Sequence, residues 1–172
     1  MRVQASLVIR RPRETTFDCV TSMAFLQQWI APFRVEKYDI PAESHYREVH
    51  HTLRFPELHQ VTEGALGVGT RFTQSNESRG HPLEATIEVT EYERPSVFAV
   101  KVMAEIGTSQ TKWIFQPASE GTRVTFMFRS KARGWRMKLV TLIAFLATKN
   151  AGTGSPQYMQ ELKNYLEEQC ES

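Results

Sequence analysis

The sequence predicts an α+β fold: a curved antiparallel sheet wrapped around a C-terminal helix, with two short helices after the first strand. Three observations carry this reading. Beyond residue 69, five segments alternate apolar and polar residues, with glycine, proline or serine turns between them. An alternating segment at the start leads into two short stretches whose apolar residues sit three apart. The last part of the chain repeats its apolar residues at helical spacing.

Residues 3–10 alternate with Val3, Ala5, Leu7 and Ile9 on one face, which reads as a strand. Pro12 suits a first helical turn, where its missing N–H costs nothing, and Phe17 and Val20 mark a short helix. Leu26 and Trp29 mark a second, which Pro32 ends. Residues 33–40 alternate like a strand, and the polar stretch beyond holds His45, His50, His51 and His59. Strands are then expected at 70–75, 83–92, 97–106, 109–117 and 122–130. Their apolar face carries Phe72, Ala85, Ile87, Val89, Phe98, Val100, Val102, Trp113, Phe115, Val124, Phe126 and Phe128. The opposite face carries Arg71, Thr73, Thr86, Glu88, Lys101, Lys112, Gln116, Arg123 and Arg129, as in a sheet with one side in water. Residues 135–149 form a helical segment, and Ser155-Pro156 reads as an N-cap with proline at the first helical position. Tyr158, Met159, Leu162, Tyr165 and Leu166 make the stripe of the last helix; Gly152 and Gly154 imply either a kink or a break before it.

At 172 residues the chain is one domain, 1–172, with an insertion at about 30–57 and neither repeat nor linker. The surface-scaling rule lets a chain of this size bury about 70% of its unfolded surface, enough for a core without staples. A composition 41% hydrophobic and 23% charged excludes disordered and low-complexity classes. No apolar run reaches the ~18 residues of a membrane span, and the start lacks the apolar region of a secretory signal. Cys19 and Cys170 are too few for a disulfide framework and too far apart for a metal knuckle, so Cys19 is read as a packing residue and the cytoplasm as the location.

From residue 123 to 149 there are seven basic residues and no acid, while Glu161, Glu167, Glu168 and Glu171 follow. The simplest reading is a solvated face balanced by the acidic tail. Zinc-finger spacing and an aromatic-basic RNA signature are both missing, so nucleic acid is not an expected partner. The histidines offer no H-E-x-x-H pair, and neither metal nor cofactor is expected. Gly67-Val68-Gly69 precedes a strand rather than a helix, so it is no phosphate loop.

Several motifs in order resemble one family. Ile9-Arg10-Arg11 leads into Pro12, Phe17 follows, and Trp29 closes the helix pair. Then come residues 67–72 (Gly-Val-Gly-Thr-Arg-Phe), 89–95 (Val-Thr-Glu-Tyr-Glu-Arg-Pro), 121–124 (Gly-Thr-Arg-Val) and 161–167 (Glu-Leu-Lys-Asn-Tyr-Leu-Glu). The chain resembles the SRPBCC superfamily, the helix-grip fold of START lipid-transfer domains, the birch-pollen-allergen group and polyketide cyclase/dehydrase-like proteins, the last being nearest. It departs from that pattern in a longer segment after Trp29 and in the Gly152/Gly154 interruption.

The resemblance implies a cavity between sheet and C-terminal helix holding a hydrophobic, lipid-like or polyketide-like molecule. The candidate lining is Trp29, Phe72, Gln74, Ile87, Phe98, Val100, Thr111, Trp113, Phe115, Phe126, Phe128 and Leu139. By alternation Glu91 and Ser109 share that face, Glu91 as a solvated rim carboxylate. The sequence contains no convincing acid–base pair, which ranks ligand binding above two alternatives: a cyclase or aromatase-type enzyme, and an interaction module like the heat-shock ATPase activators. Residues 139–147 are apolar nearly all round, so the helix has a second face to cover. The last helix, a second copy of the chain or a membrane surface would each serve, and the commonness of homodimers favours self-association through 135–149.

Overall fold

A computed structural model describes residues 2–30, 58–78, 81–105, 107–132 and 156–168. Seven strands form one antiparallel sheet: β1 (Arg2–Ile9), β2 (Leu58–Gln60), β3 (Arg71–Ser78), β4 (His81–Glu93), β5 (Val97–Ala104), β6 (Gly107–Ala118) and β7 (Gly121–Ala132). Their order is β1-β7-β6-β5-β4-β3-β2, a meander from β2 to β7 with the first strand added beside the last. All five strands expected beyond residue 69 are present, most of them extended by one or two residues at their ends. Three-residue β2 lies in the stretch that alternation left unplaced, paired to β3 through Leu58↔Gln74.

Period-two patterning sorts the strands as expected. Ile87, Val89, Phe98, Val100, Val102, Trp113, Phe115, Val124 and Phe126 are all buried on the inner face. On the outer face Arg71 bonds Glu88 at 3.1 Å. Alternation fails at one place. Val89 pairs Val100 but Glu91 pairs Ala99, so Thr90 is an extra residue in β4. This bulge reverses the side-chain phase. Glu91, expected on the apolar face, is therefore turned outward, where Lys112 Nζ donates to its carboxylate at 2.6 Å. Tyr92 is turned inward, against Phe17 and Phe98.

Between β1 and β2 the described chain forms α1 (Arg13–Val20), a three-residue turn α2 (Met23–Phe25), and a π-helical stretch at Leu26–Ile30. Pro12 is the N-cap of α1 rather than its first helical residue, and its carbonyl accepts from the buried Thr16 hydroxyl at 2.9 Å. Ser22 caps α2, its hydroxyl accepting from the Phe25 amide at 3.2 Å. The end of α2 and the start of the π stretch place Phe25 and Leu26 in the core, with Trp29 half-buried beside them. Phe25 does not stand out in a reading based on three-residue spacing.

The last helix, α3 (Pro156–Glu168), begins at the expected proline and buries Leu162 and Leu166 in the core. Its final turn is fastened to the corner between β1 and α1. Arg11 donates from its guanidinium to the Glu167 carbonyl, and the Arg10 amide donates to Glu167 Oε1 at 2.9 Å. A cation at a helix C-terminus both satisfies an orphan carbonyl and suits the dipole. Glu167 is thus engaged on the helix side of the sheet, whereas Arg123 and Arg129 are exposed on the other side. Cys19 packs against the core from α1, and it is disulfide-bonded rather than free. The chain's other cysteine, Cys170, lies outside the described residues.

The β6–β7 turn abuts this corner. Gly121 has φ +132°, and a Cβ there would collide with the Ile9 carbonyl and lie 2.9 Å from the Arg11 amide. Next to it the fully buried Thr122 donates its hydroxyl to the Arg11 carbonyl at 2.8 Å.

The predicted strand at 33–40, His45, His50, His51, Leu139 and the helix at 135–149 lie outside the described residues.

Candidate functional site

Register across the sheet divides the inner face into rows. At one end Phe115 pairs Val124, which pairs Leu7. The next row is Phe98, Trp113, Phe126 and Ala5. Then come Val89, Val100, Thr111, Phe128 and Val3, followed by Phe72, Ile87, Val102, Ser109 and Ser130. The next row is Gln74, Ala85, Ala104, Gly107 and Ala132, and on β3 and β4 the pair of Asn76 and Leu83 follows it. Six residues along β6 separate Trp113 from Gly107, about 20 Å at the rise of an extended strand.

The two ends differ in what fills them. Trp113 is stacked on Phe98 with ring centres 5.7 Å apart and lies 5.7 Å from Phe126. Phe25 closes over Trp113 edge-on at 6.0 Å, and Phe17 closes over Phe115 at 5.3 Å. Such offset and edge-to-face pairs add to the burial of large apolar area. Above them Trp29 is stacked on Phe25 at 6.0 Å and meets Tyr165 of α3 at 5.6 Å. Toward the other end, Ala85, Ala104 and Gly107 stand beside Gln74, a row without rings.

The candidate residues therefore fall into two groups. Phe98, Trp113, Phe115 and Phe126 are buried under the protein's own α1 and α2 rings, with Trp29 at the top of that stack. Phe72, Gln74, Ile87, Val100 and Thr111 are buried across the middle and far rows, and Phe128 is half-buried beside Thr111. Phe17, Phe25, Tyr92 and Tyr165 complete the aromatic layer without having been candidates. Phe25 and Trp29 are four apart on one helical face, a spacing that could have signalled the first. The Tyr165 position was legible as part of the last stripe, but not its meeting with Trp29.

The polar groups of this face are few and uncharged. Gln74 is 1% exposed and Thr111 7%. The Trp113 indole Nε1 is buried without a hydrogen-bond partner. Burial raises the Tyr165 phenol above its ordinary value, holding it neutral. Every charged side chain of the described strands belongs to the outer face, an edge or a turn. Among the described residues no three His, Cys, Asp or Glu side chains gather as a metal site would require. No described helix is long and apolar enough to cross a membrane.

A curved sheet gripping a C-terminal helix over an uncharged inner face defines a helix-grip protein. Residues 1–153 match the family described as polyketide cyclase / dehydrase and lipid transport, and the chain belongs to that family, within the SRPBCC superfamily. Solved structures agree in fold. TTHA0849 from Thermus thermophilus is 16% identical, with 96% of this chain and 97% of that one covered at a TM-score of 0.57. Ara h 8.0201 is 11% identical, with 99% and 97% covered at 0.55. DynU16, from the dynemicin biosynthetic locus, is 15% identical at 0.51; the match covers 98% of this chain and 48% of DynU16. No curated protein matches the chain.

Proposed function

We propose that the protein binds a hydrophobic small molecule, lipid-like or polyketide-like, between the sheet and the C-terminal helix, toward the Gln74–Gly107 end of the inner face. Family membership supports a role of this class. The observation that carries the reading is Gln74. It is 1% exposed in the row of Ala85, Ala104 and Gly107, where the face is small and otherwise apolar. Glutamine is seldom fully buried, and an amide in such surroundings is the kind of group that orients a ligand in an apolar pocket. Binding is preferred to cyclisation because the described inner face pairs no acid with a base. Self-association through 135–149 remains a proposal from sequence alone.

Native mass spectrometry of the protein purified from cells tests the reading. A retained apolar molecule, released on denaturation, is the expected result. A bare chain that also takes up no apolar fluorophore would overturn it.

A further inference from the structure

The helix over the sheet has little buried surface of its own. Among the described side chains of α3, Leu162 and Leu166 are the two fully buried ones, and Tyr165 meets Phe25 and Trp29 at 6.0 and 5.6 Å. Beyond these contacts the helix depends on its final turn, where Glu167 accepts from Arg10 and Arg11. Those bonds are exposed or half-buried, so water competes for each of them. An element with few buried contacts and solvent-open hydrogen bonds belongs to the low-stability end of a fold.

The neighbouring α1 is the opposite. Phe17 and Val20 are fully buried, and the Arg94 guanidinium donates to both oxygens of Asp18 at 2.8 and 2.6 Å, tying α1 to the turn after β4. Between Asp18 and Val20 stands Cys19, half-buried at the margin of the core and disulfide-bonded. The chain contains one other cysteine, Cys170, two positions beyond the last residue of α3.

We infer that Cys19 and Cys170 of the same chain form a redox-sensitive tether, which when closed holds the end of α3 on α1 and when reduced lets that end lift. A cross-link between positions so far apart in sequence removes much of the freedom of the unbonded chain. α1 stays where Arg94 and the core hold it, so α3 is the element that moves. A sulfur at the margin of the core is open to thiol attack in a way that a sealed one is not. Opening is an exchange: one thiolate of a dithiol attacks the bond, a mixed disulfide forms, and the second thiol of the reagent resolves it. The protein gains two electrons and two protons, and the reagent leaves as a disulfide. Closing reverses this, with oxidised glutathione as the two-electron oxidant leaving as two thiols. Resting on the binding reading above, the reduced protein exchanges its guest faster, because α3 is one wall of the proposed site.

After treatment with oxidised glutathione, a tryptic digest should contain the Cys19 peptide joined to the Cys170 peptide, a species that dithiothreitol separates. Hydrogen exchange then reads the switch. In dithiothreitol the amides of residues 160–168 are expected to exchange at least about tenfold faster, while those of β5 and β6 change by less than about twofold. Cys170→Ser, which leaves Cys19 and its packing in place, should show the fast exchange without reductant and no further response to it. Release of N-phenyl-1-naphthylamine, an apolar fluorophore, should quicken in the wild type on reduction and not in the variant. Two free thiols that persist in oxidised glutathione, or a covalent dimer in place of the linked peptides, would overturn the pairing. Unchanged exchange of α3 on reduction would overturn the switch and leave a passive staple. A fluorophore that binds in neither state removes the binding reading alone, because the exchange of α3 is measured without it.

Discussion

The inner face of the sheet has a furnished end and a bare one. Around Trp113 the protein supplies its own rings from three elements: Phe98 and Phe126 from the sheet, and Phe25 from the turn after α1. Around Ala104 the sheet presents alanine, glycine and one buried glutamine. Both ends belong to the same strands and obey the same alternation, so patterning alone does not distinguish them. Side-chain volume does. The furnished end is closed by the protein's own rings, and the bare end, where smaller side chains line the sheet, is where the proposed guest would sit.

Substitutions at the two ends should break this contrast if it is wrong. The largest effect is expected at Phe115, 1% exposed and covered by Phe17. Phe115→Ala should cost about 3–5 kcal/mol, read from urea midpoints, as a large ring removed from a packed core does. A loss below about 1 kcal/mol would mean that the furnished end is loosely packed. At the bare end Ala104→Leu should cost less than about 1 kcal/mol, where forcing a side chain into a filled core costs about 1–3 kcal/mol. The same variant should weaken uptake of an apolar fluorophore tenfold or more. Large destabilisation with unchanged binding would show that the row of Ala104 is already full.

The smallest effect sharpens the comparison at the boundary between layer and solvent. Burial raises the Tyr165 phenol, so the folded state favours its neutral form. Stability from this group is intact below the ordinary tyrosine value of about 10 and is lost as pH rises through the higher folded value. Tyr165→Phe should therefore flatten the alkaline limb of a stability–pH curve. Superimposable limbs for the two proteins would remove Tyr165 from the buried layer.

Much of this was readable from the chain. The strand faces followed from period-two patterning, and Leu162 and Leu166 from helical spacing. Glu91 shows why the rest was not. A single extra residue, Thr90, turns a carboxylate from one side of the sheet to the other, and nothing in the local sequence announces a bulge without glycine. Likewise the ring over Trp113 comes from Phe25, 88 positions away, on the three-residue turn that Ser22 caps, a contact no local spacing announces. The candidate lining was legible as a list of inward residues. Its division into a packed end and a bare end depends on which other elements cover each row, which is a matter of three dimensions.

The pairing of the first strand with the last sets an order of events during synthesis. β2 to β7 form a meander that can close hairpin by hairpin as each strand leaves the ribosome. β1 cannot. Its partners run from Thr122 to Arg129, about 120 residues downstream, which at roughly 5–20 residues per second is a wait on the order of ten seconds. Through that interval Val3, Ala5, Leu7 and Ile9 have no sheet to join, and α3, whose last turn is fastened to Arg11, has not yet been made. The segment that opens the chain is thus among the last to find its place, and a chaperone acting on this protein would meet it there first.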